Sequence, residues 1–219
     1  MMKINKQSLE EQATEYLRHK IISGEMAQGE KIVESTLAKD LELSRSTIRM
    51  ALNSLSHEGL VTLKPYAGWQ VISLNEDDLW ELYNLRVALE SQAAAMAAEK
   101  ASDQDKQNLR ALYDDYCQLC EQNPTDIKAI SDADFHLHRK IVEASKSMRM
   151  EKIYGQIANQ LQSYLSMTHQ NYDLSQSGLS HEAMINAICS GDPELASREA
   201  KANITPFTQL CSTLKQDEN

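Results

Sequence analysis

A chain of 219 residues has room for a small domain and a larger one with a sizeable core, and its net charge of −10 argues against loose, charge-driven coating of nucleic acid. No stretch approaches the roughly 20 apolar residues that a membrane span needs. Cys117, Cys120, Cys189 and Cys211 lack any disulfide-framework spacing, so a soluble, cytoplasmic protein with reduced thiols is expected.

Residues 1–24 read as an amphipathic helix carrying Glu10, Glu11 and Glu15, not as a signal peptide. From Glu34 to Val71 the pattern is a short helix anchored by Ala38 and Leu41, a tight turn, a second helix and a small hairpin closed by Pro65 to Gly68. Ser44 is a good N-cap for the second helix, and Ile48, Ala51, Leu52 and Leu55 follow at i, i+3, i+4 and i+7 as one apolar stripe. Gly59 suits its left-handed end, and the β-prone runs Leu60–Lys64 and Trp69–Ser73 form a wing.

That order of elements is a winged helix-turn-helix. Arg45 and Arg49 lie one turn apart, away from the apolar stripe, where arginine can bond guanine or grip phosphate in a major groove. Ser44, Ser46, Thr47 and Asn53 on the same helix, with Lys64 and Gly68 of the wing, complete the expected DNA-binding set. Residues 1–74 hold nine basic and nine acidic side chains, so the excess acid falls after them. A locally neutral module with a few placed arginines suits specific recognition, because potential matters within about 8 to 10 Å of the phosphates.

After Asn75 helical patterns follow one another: a first segment with Leu79, Leu82, Tyr83, Leu85, Leu89, Ala93 and Met96 on its apolar face, then Ser102–Gln122, Thr125–Ala144, Met148–Tyr172, Gly178–Cys189 and Pro193–Leu214. The fold class expected is therefore mainly α: a winged helix-turn-helix over 1–74, then an all-α antiparallel bundle of about six helices over 75–219. Cys117 and Cys120 form a lone C-x-x-C within a helix, with no second pair to complete a zinc site. Ser180-His181-Glu182 is not a catalytic triad, and no enzyme is expected.

The run Gly24 to Glu34, Leu37-Ala38, Ser44-Arg45-Ser46-Thr47-Ile48-Arg49, Glu58-Gly59-Leu60-Val61 and Gly68-Trp69-Gln70-Val71 resembles the N-terminal domain of GntR-family transcription regulators. Met50 departs from the acidic residue common there, and Ala67 from the basic residue or histidine that often precedes the wing glycine. Leu82 to Glu90, Asp132 to His136, His181 to Ile185 and Ala187-Ile188 with Gly191-Asp192 resemble the all-helical (FCD-type) effector domain of the FadR-like branch.

The resemblance implies a homodimer on an inverted repeat of double-stranded operator DNA, with a small carboxylate effector and no membrane partner. It also implies a divalent metal of the Zn, Ni or Mn class, held by one aspartate and three histidines. Transferred by motif, the ligands are Asp132, His136 and His181, with Asn203 where the third histidine is expected. Asp134 and His138 form a second i, i+4 pair, and only the Phe-His dipeptide favours the first. Arg86, Glu90 and Asn203 are the candidate effector residues; the competing reading of Arg86 and Glu90 is an internal ion pair. The alternative function is an effector-independent DNA-binding dimer whose bundle is only a scaffold.

Overall fold

The computed structural model describes residues 7–169 and 173–204, the side chains of 166–168 excepted. The chain divides into two compact units: one holds the chain to Leu74 with Gln156–Gln160, the other Asn75–Gly155 with the chain from Leu161. Among the described residues no helix is long and apolar enough to cross a membrane.

In the first unit α1 (Leu9–Ile22) starts from a reciprocal cap between Ser8 and Glu11, which satisfies two backbone donors at the helix start. Its buried Leu17 and Ile21 face α3 (Arg45–His57). The Ser44 hydroxyl accepts from the Thr47 amide at 3.1 Å, fixing the start of α3. Ile48, Ala51, Leu52 and Leu55 are all fully buried, so the stripe read from the sequence is the face on which α1 and α2 (Glu34–Asp40) pack. Each leucine contributes about 1.5 to 3 kcal/mol by burial. Arg18 grips Glu58 at the end of α3 with two bonds of 2.7 Å.

Three strands, β1 (Lys31–Ile32), β2 (Val61–Lys64) and β3 (Gly68–Val71), form an antiparallel sheet in the order β1-β3-β2, with Lys64 opposite Gly68 and Ile32 opposite Trp69. The two-residue β1 was not expected, because two residues are too few to display a period of two. At the wing tip the Ala67 amide donates to the Lys64 carbonyl at 3.1 Å. Tyr66 there takes a left-handed φ of 63°, unusual for an aromatic residue.

The second unit contains α4 (Glu76–Lys100), α5 (Asp103–Gln122), α6 (Ile127–Ala144), α7 (Met148–His169), α8 (Glu182–Ser190) and α9 (Pro193–Asn203). Asn75 with Asp78, Ser102 with Asp105, Asp126 and Asp192 cap the starts of α4, α5, α6 and α9. Along α4 the side chains of Ala93, Ala94, Ala97 and Ala98 are buried, and their small volume lets the helix lie close to α8 and α9.

Two expected helices differ from those observed. The segment expected from Gly178 opens as a 3-10 turn, Gly178–His181, preceded by another at Leu174–Gln176, and becomes α-helical only at Glu182. A Cβ on Gly178 would stand 2.7 Å from the Cys117 Cα, so this turn rests directly on α5. Helix α9 ends at Asn203, and the expected continuation to Leu214 lies outside the described residues, as does that of α7 to Tyr172.

Candidate functional site

On α3 the side chains opposite the buried stripe are exposed at Arg45, Ser46, Arg49 and Asn53, while Lys64 is exposed on the wing. Ser44 and Thr47 are tied into the cap, their hydroxyls 2.8 Å apart, and Gly68 closes the wing turn with a φ of 84°. Glu34, the first residue of α2, was missing from the expected set. Its carboxylate accepts from Arg49 Nε at 2.9 Å and from a terminal Arg49 nitrogen at 2.7 Å. It also accepts from Trp69 Nε1 at 3.1 Å and lies 3.5 Å from Arg45. The hydrogen bonds from Arg49, outweighing partial burial and helped by Trp69, hold Glu34 at a pKa of about 2. One carboxylate thus fixes both arginines against the start of α2, a role no local spacing announces.

In the second unit Asp134, His138 and His181 converge, all buried. Asp134 and His138 share a face of α6 at i, i+4, and the 3-10 turn on Gly178 delivers His181. His138 Nε2 and His181 Nε2 are 3.1 Å apart, and Asp134 Oδ1 is 2.9 Å from the latter and 3.2 Å from the former. Tyr116 packs edge-on against the His181 ring at 5.2 Å. His138 Nδ1 donates to Glu90 Oε2 at 2.8 Å, and Glu90 Oε1 accepts from the Tyr154 hydroxyl at 2.8 Å.

The charges in this cluster are strongly coupled. Burial opposes the charged form of Asp134, but His138 and His181 hold its pKa well below the ordinary value. Burial likewise disfavours ionised Glu90, yet Arg86 and His138 keep it at about 2. For His138 burial pulls the pKa down and Glu90 with Asp134 overrides it, raising it to about 9. Metal-free His138 therefore carries a proton at neutral pH.

His181 Nδ1 sits 3.1 Å from both the Ser177 carbonyl and the Ser180 hydroxyl, which orient the ring with Nε2 towards Asp134 Oδ1. A carboxylate oxygen and two imidazole nitrogens thus share one point. Donors about 2.1 Å from a single ion lie roughly 3.0 to 3.4 Å apart, so the three atoms fit one divalent ion. Glu90 then stands behind His138 as the carboxylate that orients a ligating imidazole.

This departs from the expected ligand pair. Asp132 accepts from the Gln162 amide, and His136 is exposed, lining a surface hollow with Lys140 and Glu143. The two residues lie two positions from Asp134 and His138, a rotation of about 200° around a helix, so only one pair can face the core. The Phe-His dipeptide favours a pair that the structure does not bring to the buried cluster. Asn203 does reach the site region, donating to the Ser180 carbonyl and hydroxyl at 3.2 Å each.

A cavity of about 250 Å³ opens beside the cluster, lined among others by Arg86, Asp134, His169, Ser177, His181 and Asn203. Arg86 is buried, and its Nε donates to both Glu90 oxygens at 3.0 Å, so the internal ion pair forms. Cys117 and Cys120 are raised in pKa, chiefly by burial, and pack at the α5 face beside Gly178, as structural thiols do.

Comparison with known proteins agrees with this architecture. Residues 81–205 match the family model described as the FCD domain, and residues 9–71 match that of bacterial regulatory proteins, gntR family. The chain is 23% identical to a probable D-xylose utilization operon transcriptional repressor of Paenarthrobacter nicotinovorans, covering 94% of this chain and 89% of that protein. It is 27% identical to the gluconate operon transcriptional repressor of Bacillus subtilis (strain 168), over 82% and 75% of the two. The solved structure of E. coli McbR/YncC superposes with a TM-score of 0.76 at 21% identity, covering 98% of this chain and all of that one. With both domains matched in this order, the chain belongs to the GntR family of bacterial transcription regulators, in the FadR-like branch that carries an FCD domain.

Proposed function

We propose that the chain is a dimeric, ligand-responsive regulator. In this reading residues 1–74 bind an inverted-repeat operator, and residues 75–219 dimerise and sense a small carboxylate with a divalent ion. Arg45 and Arg49 read bases or grip phosphate, with Ser46, Asn53, Lys64 and Gly68 positioning the duplex and Ser44 and Thr47 holding the helix start.

Asp134, His138 and His181 hold the ion, a donor set that suits zinc or nickel through its imidazoles and admits manganese through its carboxylate. When bound, the ion supplies positive charge toward which an effector carboxylate is drawn. Arg86, kept cationic by Glu90, offers a second anchor from the cavity wall.

The observation that carries this reading is the convergence of three electron-pair donors beside a cavity lined by a buried arginine. Effector then favours one arrangement of the chain over another and shifts operator affinity by that difference. The repressor names of the relatives support a repressing sense, and gluconate, with other small carboxylic acids, is a reasonable probe.

The test is thermal melting of the purified protein with Zn(II), Ni(II) or Mn(II), alone and with each acid, followed by binding to DNA selected in vitro from a random pool. A sensor gains stability by mass action, about 2.7 kcal/mol at a ligand concentration 100 times Kd, and changes its DNA affinity. Selection of a duplex with no response to any ion or acid supports the scaffold reading instead.

A further inference from the structure

The three converging atoms account for three ligands, and a third imidazole lies near one of them. His169, the closing residue of α7, lines the same cavity and has its Nε2 3.6 Å from Asp134 Oδ2. The other carboxylate oxygen, Oδ1, serves His138 and His181. Asp134 therefore divides its two oxygens between the central pair and His169.

The far side of the His169 ring is anchored. Its Nδ1 lies 2.8 Å from the hydroxyl of Ser131, a fully buried residue one turn before Asp134 on α6. A ligating imidazole needs this arrangement: a partner on one nitrogen that fixes tautomer and plane, and the other nitrogen aimed at the metal position. Asn203, at the other side of the cavity, donates its amide nitrogen to Ser180 and could offer only its carbonyl oxygen, a weaker ligand than imidazole for zinc or nickel.

We propose that His169 is a metal ligand of this chain, supplying a third imidazole to the site formed by Asp134, His138 and His181. The proposal rests on the reading that this site holds a divalent ion. The His169 Nε2 is 3.6 Å from Asp134 Oδ2 but lies outside the group of three whose ligand atoms all fall within 4.8 Å of one another, so the ring must move inward when the ion binds, since ligands adjacent around one ion lie roughly 3 Å apart.

The test uses the full chain stripped with EDTA and dialysed, titrated with Co(II) by absorption and with Zn(II) against a chromophoric chelator. We expect the parent to bind one equivalent and His181→Ala to bind none. His169→Ala should bind at least tenfold more weakly, with altered Co(II) ligand-field bands that free imidazole partly restores. A merely structural histidine would not move those bands. Ser131→Ala should weaken binding less, with unchanged bands, and adding Asn203→His should help more in the His169→Ala background than in the parent.

If His169→Ala does not fold, His169→Gln takes its place in the same titrations. A folded His169 variant with parental affinity and spectrum overturns the proposal while leaving the three-ligand site intact. A parent that binds no ion overturns both.

Discussion

At the residue scale, the two arginines of α3 and the two histidines of α6 make separable predictions. Arg49→Ala should cost about 1 to 3 kcal/mol of operator binding, measured by fluorescence anisotropy on a selected duplex, with melting temperature nearly unchanged because the side chain is exposed. Unaltered affinity in a folded variant would remove α3 from the interface. For the metal, His138→Ala should abolish retention after dialysis, while His136→Ala should leave it intact; elemental analysis of both decides. Spacing does not separate those histidines, since Asp132/His136 and Asp134/His138 have the same i, i+4 geometry, and the Phe-His dipeptide favours the exposed one. Only the rotation of α6, set by the burial of Ile130, Leu137 and Ile141, assigns one pair inward. The ring numbering of that helix was legible in its apolar residues, had they outranked the dipeptide.

At the scale of elements, the capped helices and the stripe of α3 were readable because each depends on near neighbours in sequence. β1 and the 3-10 turns were not: β1 exists through pairing with β3, and the turn at Gly178 through its contact with α5. That contact gives a prediction. Gly178→Ala places a methyl group against Cys117 backbone, so the turn must shift, lowering the melting temperature and weakening metal binding at least tenfold although no ligand is changed.

The coupled charges of α4 and α6 give another. A raised pKa on His138, about 9 against an ordinary 6.5, stabilises the metal-free fold below about pH 6.5 and ceases to do so as pH rises through 9. Glu90, lowered to about 2 from an ordinary 4.5, stabilises it above about pH 4.5 and ceases to do so as pH falls through 2. Urea unfolding in EDTA should therefore show a maximum between about pH 4.5 and 6.5, with an alkaline decline approaching 1 kcal/mol per pH unit that His138→Gln removes. Saturating Zn(II) should abolish the same decline, since the ion replaces the proton. An EDTA profile flat from pH 6.5 to 9 would mean that His138 is neutral in the folded chain.

At the scale of the whole molecule, the balanced charge of residues 1–74 and the excess acid beyond them predict modest salt dependence of DNA binding. Ala67→Arg at the exposed wing tip should steepen the slope of log affinity against log salt by about one; an unchanged slope would mean that the tip does not approach phosphate.

The grip of Glu34 on Arg45 and Arg49 adds a consequence for searching a genome. On random duplex, an arginine that leaves this carboxylate for a phosphate merely exchanges one anion for another and gains little. Only a correctly placed guanine, with two acceptors in the right plane, outbids the carboxylate. With Arg45 and Arg49 reading bases as proposed, Glu34 would penalise the countless wrong sites more heavily than the right one, and Glu34→Gln should raise affinity for random DNA more than for the selected operator. The chain would hold DNA more tightly and find its operator less well, because occupancy of one site depends on the ratio of the two affinities.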